Sequence, residues 1–449
     1  MGVLMNKESF GKRNWLVLLV FGLAGQIAWS VENMYFNLFV YDTVAKDLDA
    51  ITLMVQLSGV VATVVTLLAG TLSDKVGQRR KFISFGYLIW GVTVALFGYL
   101  SPELVGKIFN TDGAKSVAIT LVLVIVGDCV MTLFGSTAND AAFNAWLTDN
   151  TRPSFRGSVE GVVAVLPLLA MLIVAGGFGI LVESLGYSTV FLALGIVITL
   201  CGALGIYLIK DSDTLEKNGG LRDILYGFRP SVVKSNPALY LIFLIVVVYG
   251  IACQIFMPYL IIYMREYLSF SVVEYSVVFG VAIVFGAIIN VVLGRISDHA
   301  FKPRLLYLAV GIMAMGLFAM YIANGMGHLA NLIFFGCAGF AMITGYIFVA
   351  QLTGSIMRDY TPVRDAGKLQ GVRMVFSVLI PMLAGPSIGN AINRKMNVPL
   401  ENAGADVMTT EFIPAPEIFL AAAVACLVIP ILVHLLCRAC ESEESGAND

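Results

Sequence analysis

Residues 70–80 read GTLSDKVGQRR, at the end of an apolar stretch and just before the next one. A related segment, GRISDHAFKPR at residues 294–304, follows another apolar stretch in the second half of the chain. Each segment places a glycine four residues before an aspartate and adds basic residues after it. A repeat of this kind indicates a protein built from two similar halves.

A second repeat supports the same division. DNTRPSFRGSVEGV at residues 149–162 corresponds to DYTPVRDAGKLQGV at residues 359–372. In both segments the aspartate stands eight residues before the first glycine. Two independent matches at corresponding positions therefore favour a duplicated architecture.

The composition places these repeats in a membrane protein. Of 449 residues, 58% are hydrophobic and 13% are charged, and the formal net charge is −2. A soluble fold of this size has too little interior to hide so much apolar surface. The composition excludes a soluble enzyme, a nucleic-acid-binding protein and a disordered scaffold. No enzymatic activity and no cofactor are expected, and the lipid bilayer is the expected surrounding.

Twelve apolar runs are long enough to cross about 30 Å of hydrocarbon as helices. They lie near residues 15–42, 50–73, 82–100, 116–147, 158–183, 188–209, 238–264, 272–296, 305–323, 329–357, 367–393 and 416–437. The predicted fold class is an all-α polytopic membrane protein whose twelve transmembrane helices form two pseudo-symmetric six-helix bundles.

Lysine and arginine predict the orientation of these helices. Of the 28 basic residues, 21 fall in the connections on the side of the two termini, six fall in the opposite connections, and Arg373 lies inside a span. Positive charge is concentrated in the cytoplasmic loops of membrane proteins. Both termini are therefore predicted to be cytoplasmic, in a multi-pass protein of the plasma or inner membrane.

The polar connections divide the chain. Residues 1–209 are predicted to form the N-terminal bundle, 210–236 a central cytoplasmic loop, 237–438 the C-terminal bundle and 439–449 a disordered acidic tail. The external loop 394–415 is rich in polar residues and is expected to be weakly ordered.

The segment 70–80 also carries a family resemblance. The pattern G-x-x-x-D-[RK]-x-G-x-[RK]-[RK] between the second and third helices is a signature of the major facilitator superfamily, and the chain resembles that superfamily over nearly its whole length. The positions are filled by Gly70, Asp74, Lys75, Gly77, Arg79 and Arg80. The second copy keeps Gly294 and Asp298.

The resemblance implies a cytoplasmic gate. Asp74 would face the start of helix eleven and Asp298 the start of helix five, while Gly70 would let a neighbouring helix approach closely. The alternative is an ordinary loop of solvated charges. The predicted gating residues are Gly70, Asp74, Lys75, Gly77, Arg79, Arg80, Asp149, Arg156, Glu160, Gly294, Asp298, Asp359 and Arg373.

Acidic residues inside the predicted spans suggest a site, because a charge there is costly. In helix one, Trp29, Glu32, Asn33 and Phe36 share a broad face at about 100° per residue. An acid beside aromatic rings and amides suits a polar, ring-shaped ligand or a proton acceptor. The alternative is a structural Glu32 bonded to a neighbouring helix.

Helix four and helix eleven carry the other ionisable groups. Asp128 is a candidate for a ligand or cation, with Asn139 on the same face, whereas Asp140 is either a gate residue or structural. Arg373 needs either a carboxylate partner or an anionic ligand. Glu160 follows Arg156 by four residues, so an ion pair within helix five explains it without a transport role.

Polar residues of the second half are less specific. Gln254, Tyr259, Tyr263, Asn290, Thr344 and Gln351 could line a cavity, or each could make an ordinary hydrogen bond between helices. The histidines lack the spacing of metal ligands, and no metal site is predicted. The Cys437–Cys440 pair is more consistent with free thiols or lipidation than with metal binding.

A finer resemblance suggests a substrate. The segment ENMYFNLFVYD at residues 32–42 and AWLTD at residues 145–149 are similar to the glycoside–pentoside–hexuronide:cation symporters and their sucrose-transporter-like relatives. This resemblance implies proton-coupled uptake of a sugar or glycoside, with Glu32 or Asp128 carrying the proton; H⁺ is favoured over Na⁺. The predicted substrate-binding residues are Trp29, Glu32, Asn33, Tyr35, Phe36, Asp128, Asn139, Gln254, Tyr259 and Gln351.

Two other functions remain open at this point. One is proton-coupled efflux of amphipathic drugs or other small solutes. The other is a membrane receptor or scaffold that transports nothing. ATP-driven pumping has no support, because the sequence contains no phosphate-binding loop of the Walker A type. The expected mechanism is alternating access. A monomer binds a small-molecule substrate and a coupling cation at a site that opens to one side of the membrane at a time.

Overall fold

Long apolar helices make up most of the structure. A computed structural model of the chain describes residues 10–151, 156–212, 226–297, 301–362, 366–399 and 412–446. Twelve helices within this part are long and apolar enough to cross a membrane, which confirms the predicted fold class. In chain order, α1 to α12 span Lys12–Val44, Leu48–Val76, Arg79–Phe97, Gly113–Asn150, 156–185, Tyr187–Leu208, Pro237–Tyr267, Val272–Ser297, Lys302–Ile322, His328–Tyr360, 366–396 and 417–446.

The helices form two bundles, α1–α6 and α7–α12. The bundles meet where α2 packs against α11 and where α5 packs against α8, and these two contacts are equivalent under the repeat. Because the described part contains an even number of spans, the start of α1 and the end of α12 lie on one side, the terminal side, which the basic residues predict to be cytoplasmic. The opposite side is the distal side.

The ends of α2 illustrate how local sequence sets a boundary. The Asp47 side chain accepts hydrogen bonds from the backbone N–H groups of Asp49 and Ala50 at 2.8 and 3.2 Å, which caps the first turn. At the other end Gly77 adopts φ 67°, and its N–H donates to Ser73 O at 2.9 Å. Gly77 of the repeated motif therefore ends the helix in a left-handed conformation that favours glycine.

Three features differ from the expectation or add to it. A short distal helix, Pro102–Phe109, joins α3 to α4. In the loop 394–415 the helix continues to Met396, and strand β1 (Val398–Pro399) pairs antiparallel with strand β2 (Phe412–Ile413); residues 400–411 lie outside the described part.

The acidic tail was predicted to be disordered from residue 439, and this is wrong as far as residue 446, because α12 continues through Gly446. A helix that already exists extends at low cost into residues such as glutamate, which is a good helix former.

Several spans contain π-helical turns, in which one extra residue widens the helix. Such turns shift the faces of a helix relative to a regular α-helix. They occur at Glu32–Phe36, Val40–Val44, Ser136–Phe143, Val174–Phe178, Tyr263–Tyr267 and Val375–Leu379.

Candidate transport site

An ion pair joins the distal ends of α1 and α7. The Arg265 guanidinium donates hydrogen bonds to both carboxylate oxygens of Asp42, with the Nη1–Oδ2 distance at 2.7 Å. Tyr187 Oη donates to the same carboxylate at 2.6 Å, and Glu266 lies 2.9 Å from the guanidinium. A forked contact of this kind is among the stronger polar interactions in proteins.

A second ion pair joins the distal ends of α2 and α11. Arg394 donates to both carboxylate oxygens of Asp49, with Nε at 2.8 Å from Oδ1, and Asn390 Nδ2 donates to the same oxygen at 2.5 Å. Deeper along these helices, Gln56 Nε2 donates to Ser387 Oγ at 2.5 Å. The two helices are therefore joined over about two turns.

A hydroxyl pair completes this set, because Thr52 Oγ1 and Tyr259 Oη are 2.7 Å apart. Among pairs of described side chains, every hydrogen bond or ion pair that crosses between the bundles lies in the distal half of the molecule. We name these contacts the distal ties: Asp42–Arg265, Asp49–Arg394, Gln56–Ser387 and Thr52–Tyr259.

The gap between α2 and α11 widens toward the terminal side. Gly59 and Gly70 lie three turns apart on nearly the same face of α2. A Cβ at Gly59 would lie 2.6 Å from Met382 of α11, whereas no described atom of another helix lies within 4 Å of a Cβ at Gly70. No described residue therefore fills the place of a side chain at Gly70 in this conformation, although the terminal part of α11 still contacts α2.

Two carboxylates and two hydroxyls meet inside the N-terminal bundle. Ser58 Oγ lies 2.6 Å from Asp128 Oδ2 and 2.7 Å from Thr132 Oγ1, and Thr132 Oγ1 lies 3.0 Å from Glu32 Oε1. Asp128 is 2% exposed, whereas Glu32 is half-buried. The structure therefore brings together the two acids predicted to couple a cation. This group is the acid–hydroxyl cluster.

A second polar group lies beside this cluster on the π-helical turn of α4. Asp140 accepts hydrogen bonds from Ser136 Oγ at 3.0 Å and from Asn139 Nδ2 at 3.4 Å. Asn139 Oδ1 also lies 3.0 Å from Tyr87 Oη. A Cβ at Gly25 would collide with Asn139 and Tyr87, so this close contact requires glycine at that position of α1.

The aromatic residues Trp29 and Phe36 predicted in helix one both pack against α3 inside the N-terminal bundle. Trp29 packs against Trp90 with ring centroids 5.1 Å apart. Phe36 is 1% exposed and stacks on Phe97 at 4.2 Å, so it fills the interior of its bundle and does not face the other one. The π-helical turn Glu32–Phe36 rotates Phe36 away from the face that a regular helix would give it.

Other predicted substrate residues are spread over the interface. Asn33 is exposed and Gln254 is half-buried. Tyr35 is buried, and its hydroxyl lies close to Gly179 of α5. Tyr259 belongs to the distal ties, and Gln351 is exposed beside Gly294 on the terminal half of α10.

The repeated motifs form a matching pair of ion pairs on the terminal side. At the start of α3, Arg79 Nε lies 3.0 Å from Asp149 Oδ2 at the end of α4, and its Nη1 donates to Ser73 Oγ at 2.5 Å. At the start of α9, Lys302 Nζ lies 2.6 Å from Asp359 Oδ2 at the end of α10. Each pair joins equivalent helices within one bundle.

The remaining gate residues are only partly visible. Lys75 and Arg80 are exposed, and the backbone N–H of Arg80 donates to Asp211 Oδ1 at 2.8 Å. Asp298 lies outside the described residues, as do the side chains of Asp74, Arg156 and Glu160.

Arg373 is exposed on the terminal part of α11. No described carboxylate lies within ion-pair distance of it, and Arg358 of α10 is the charged group that acts on it electrostatically. The sequence allowed two interpretations of Arg373, a carboxylate partner or an anionic ligand. No carboxylate partner is found among the described residues, and the anionic ligand remains a hypothesis.

Sequence reasoning missed Ser58 and the residues of the distal ties other than Tyr259. Arg265 and Arg394 are two of only six basic residues in the distal connections, and this scarcity was an available signal. Ser58 carried no signal, because a single serine in an apolar span is common. Cys437 and Cys440 are buried in α12, which does not favour lipidation.

Two helical bundles that are tied across their interface on one side and hold polar groups within the membrane-spanning part have the architecture of a membrane transporter. The family model of the Major Facilitator Superfamily matches residues 15–386, and the chain belongs to this superfamily. A search of curated proteins found no match.

Solved structures support the fold. The nucleoside transporter NupG (D323A mutant) superposes with a TM-score of 0.66 at 10% identity, covering 94% of this chain and 99% of that chain. An inward-facing bacterial homologue of the human lysosomal transporter Spinster gives 0.65 at 13% identity, with 96% and 98% covered. An outward-facing bacterial homologue of the iron transporter ferroportin gives 0.62 at 13% identity, with 94% and 98% covered.

Proposed function

We propose that the protein is a secondary active transporter that couples the movement of a sugar or glycoside to protons by alternating access. The observation that carries the proposal is the acid–hydroxyl cluster, which holds Glu32 and Asp128 together within the membrane-spanning part of the molecule. Two acids joined through hydroxyls can bind and release a proton as the bundles move. The protein acts as a monomer in the plasma or inner membrane.

With the terminal side in the cytoplasm, the conformation is inward-facing. The distal ties close the outer side, and the open space at Gly70 is the cytoplasmic opening. In the opposite conformation the distal ties break, and α11 approaches α2 at Gly70. The gate residues of the repeated motifs then hold the cytoplasmic side closed.

The substrate class rests on the residues around the cluster. Trp29 offers an aromatic face, and the exposed Asn33 offers an amide oxygen that can bind a sugar hydroxyl. Nucleosides are also glycosides, and NupG is a nucleoside transporter, so nucleosides belong to the substrates to be tested.

A proton-gradient experiment tests the coupling. Purified protein in proteoliposomes is given an inward proton gradient and radiolabelled probes: a methyl glycoside, sucrose, glucuronate and uridine. We expect at least one probe to accumulate against its gradient. Glu32→Gln is expected to reduce this accumulation at least about tenfold, because the amide cannot bind the coupled proton.

The matched control is Glu103→Gln. Glu103 lies on the short distal helix, where it pairs with Lys107 at 2.6 Å, far in sequence from the cluster. We expect this variant to accumulate the probe as the unmodified protein does. Undiminished accumulation by a folded Glu32→Gln variant would remove Glu32 from the mechanism, and export of cationic drugs instead of uptake would favour the efflux alternative.

A further inference from the structure

Four oxygen atoms of the acid–hydroxyl cluster lie in series. The contacts run from Asp128 Oδ2 to Ser58 Oγ at 2.6 Å, from Ser58 Oγ to Thr132 Oγ1 at 2.7 Å, and from Thr132 Oγ1 to Glu32 Oε1 at 3.0 Å. All three distances are hydrogen-bond distances. Ser58 Oγ also lies 3.4 Å from Glu32 Oε1, which is longer than an ordinary O–H···O bond, so the short contacts make the two carboxylates the ends of a chain whose middle members are hydroxyls.

Ser58 and Thr132 differ from most buried hydroxyls of this protein. Elsewhere the hydroxyl usually donates to the backbone carbonyl one turn earlier, as at Thr52, Thr63, Thr120, Thr344 and Thr353. Among the described contacts, the hydroxyls of Ser58 and Thr132 meet only side chains of the cluster. Their hydrogens are therefore available to the chain.

Counting hydrogens gives the protonation state. Three contacts in series need three hydrogens, and the two hydroxyls bring one each. If both carboxylates were ionised, one of the three contacts would place two oxygen lone pairs against each other at hydrogen-bond distance. An acid proton on Asp128 or Glu32 would supply the third hydrogen.

The surroundings favour one proton in the pair. Asp128 is 2% exposed, and its Oδ1 has no hydrogen-bond partner among the described residues; the same holds for Oε2 of Glu32. Asp140 adds a further negative charge that acts on Glu32. No described lysine or arginine pairs with either acid, so two ionised carboxylates would lack any compensating charge.

We propose that Asp128 and Glu32 share a single proton and that Ser58 and Thr132 relay it between them. The inference rests on the proposed proton coupling and adds two residues to it. With the proton on Asp128, Asp128 donates to Ser58, Ser58 to Thr132, and Thr132 to the Glu32 carboxylate. Each hydrogen can then move to the oxygen that accepts it: from Asp128 to Ser58, from Ser58 to Thr132 and from Thr132 to Glu32. After this shift Asp128 is ionised, both hydroxyls still carry one hydrogen and Glu32 is protonated.

The relay gives a buried acid a path to the interface. Glu32 as a residue is half-buried and neighbours the exposed Asn33, although its Oε2 atom is buried, whereas Asp128 is enclosed. A proton that enters through Glu32 therefore reaches Asp128 without opening the bundle to water. Ser58 on α2 and Thr132 on α4 are the positioning residues of this path.

Hydrogen–deuterium exchange of the acid tests the relay, with the proton itself as the probe. Infrared spectra of the purified protein in detergent at neutral pH are expected to show a protonated carboxyl band that Asp128→Asn removes or shifts. After transfer to deuterated buffer, Ser58→Ala and Thr132→Val are expected to slow the isotope shift of this band at least about tenfold. Thr132→Ser, which keeps the hydroxyl, should exchange at the rate of the unmodified protein.

Thr63→Val is the matched control, because Thr63 is equally buried on α2 but donates only to Gly59 O. This variant should exchange at the unmodified rate, and the melting temperature of each variant confirms that it is folded. Unchanged exchange in either Ser58→Ala or Thr132→Val would overturn the relay. A band lost on addition of sodium would overturn it in favour of a cation site.

These results separate the relay from the proposed function. If the proton gradient drives accumulation and Glu32→Gln abolishes it, but Ser58→Ala exchanges normally, the relay alone is wrong. If the proton gradient does not drive accumulation of any probe by the unmodified protein, the proposed coupling is wrong whatever the infrared bands show.

Discussion

Glu32 and Phe36 lie at the two ends of one helical turn of α1 but have different surroundings. Both were predicted on one face of α1, yet Glu32 reaches the acid–hydroxyl cluster and Phe36 stacks inside its bundle. The difference arises from the π-helical turn between them. A regular helical projection from sequence cannot contain this turn, because the extra residue is stabilised by tertiary packing.

Gly77 gives a prediction at this scale. Its φ of 67° is strained for any residue with a Cβ, so Gly77→Ala is expected to lower the free energy of unfolding by about 1 kcal/mol. The measurement is a thermal melt in detergent. Gly70→Ala, at a helical glycine with open space around it, should leave the melting temperature unchanged or raise it. Equal losses in both variants would contradict this account of Gly77.

At the scale of elements, sequence periodicity and the length of the apolar runs were sufficient to predict the positions of the membrane spans. The second helix was predicted near 50–73 and begins at Leu48, and the sixth was predicted near 188–209 and begins at Tyr187. The short helix Pro102–Phe109 was missed, because eight residues between two spans carry too weak a pattern.

The candidate site was only partly predictable, for a related reason. Glu32 and Asp128 were evident because an acid inside an apolar span is rare. Ser58 and Thr132 became informative only when α1, α2 and α4 were seen together, since hydroxyls in spans usually bond to their own backbone.

The two equivalent ion pairs of the repeat give a prediction for elements. Arg79–Asp149 is largely buried, with side chains 6% and 24% exposed, whereas Lys302–Asp359 is 27% and 51% exposed. Arg79→Ala should destabilise the protein by about 3 kcal/mol, because it leaves a partly buried carboxylate without its main partner. Lys302→Ala should cost less than about 1 kcal/mol.

Melting temperatures in detergent would check this difference, with Lys107→Ala as an exposed control outside the repeat. Similar losses for Arg79→Ala and Lys302→Ala would mean that burial does not set the strength of the two pairs.

At the scale of the whole molecule, the distal ties favour the conformation described here. Asp42→Asn combined with Asp49→Asn should weaken both ion pairs and shift the population toward an open distal side. A loss of about 1.4 kcal/mol corresponds to a tenfold change in the ratio of the two conformations. The reporter is Gln56→Cys, labelled by a membrane-impermeant maleimide added on the distal side.

We expect faster labelling of the cysteine at position 56 in the double variant than in the single reporter. Glu103→Gln in the same background is the control, because Glu103 pairs only within its own helix among the described residues. Labelling that stays equally slow in the double variant would show that the ion pairs do not hold the distal side closed.

Because the distal ties lie near the distal surface, the stability of the conformation described here depends on the salt concentration on that side. Arg394 is more than half exposed, and Asp42, Arg265 and Asp49 are each about a quarter exposed, so dissolved ions reach both pairs. At about 0.15 M salt, charges are screened over roughly 8 Å, and this distance shrinks as salt rises. Higher salt on the distal side therefore weakens these ion pairs, and the fraction of molecules that are open on that side becomes a function of the ionic strength there.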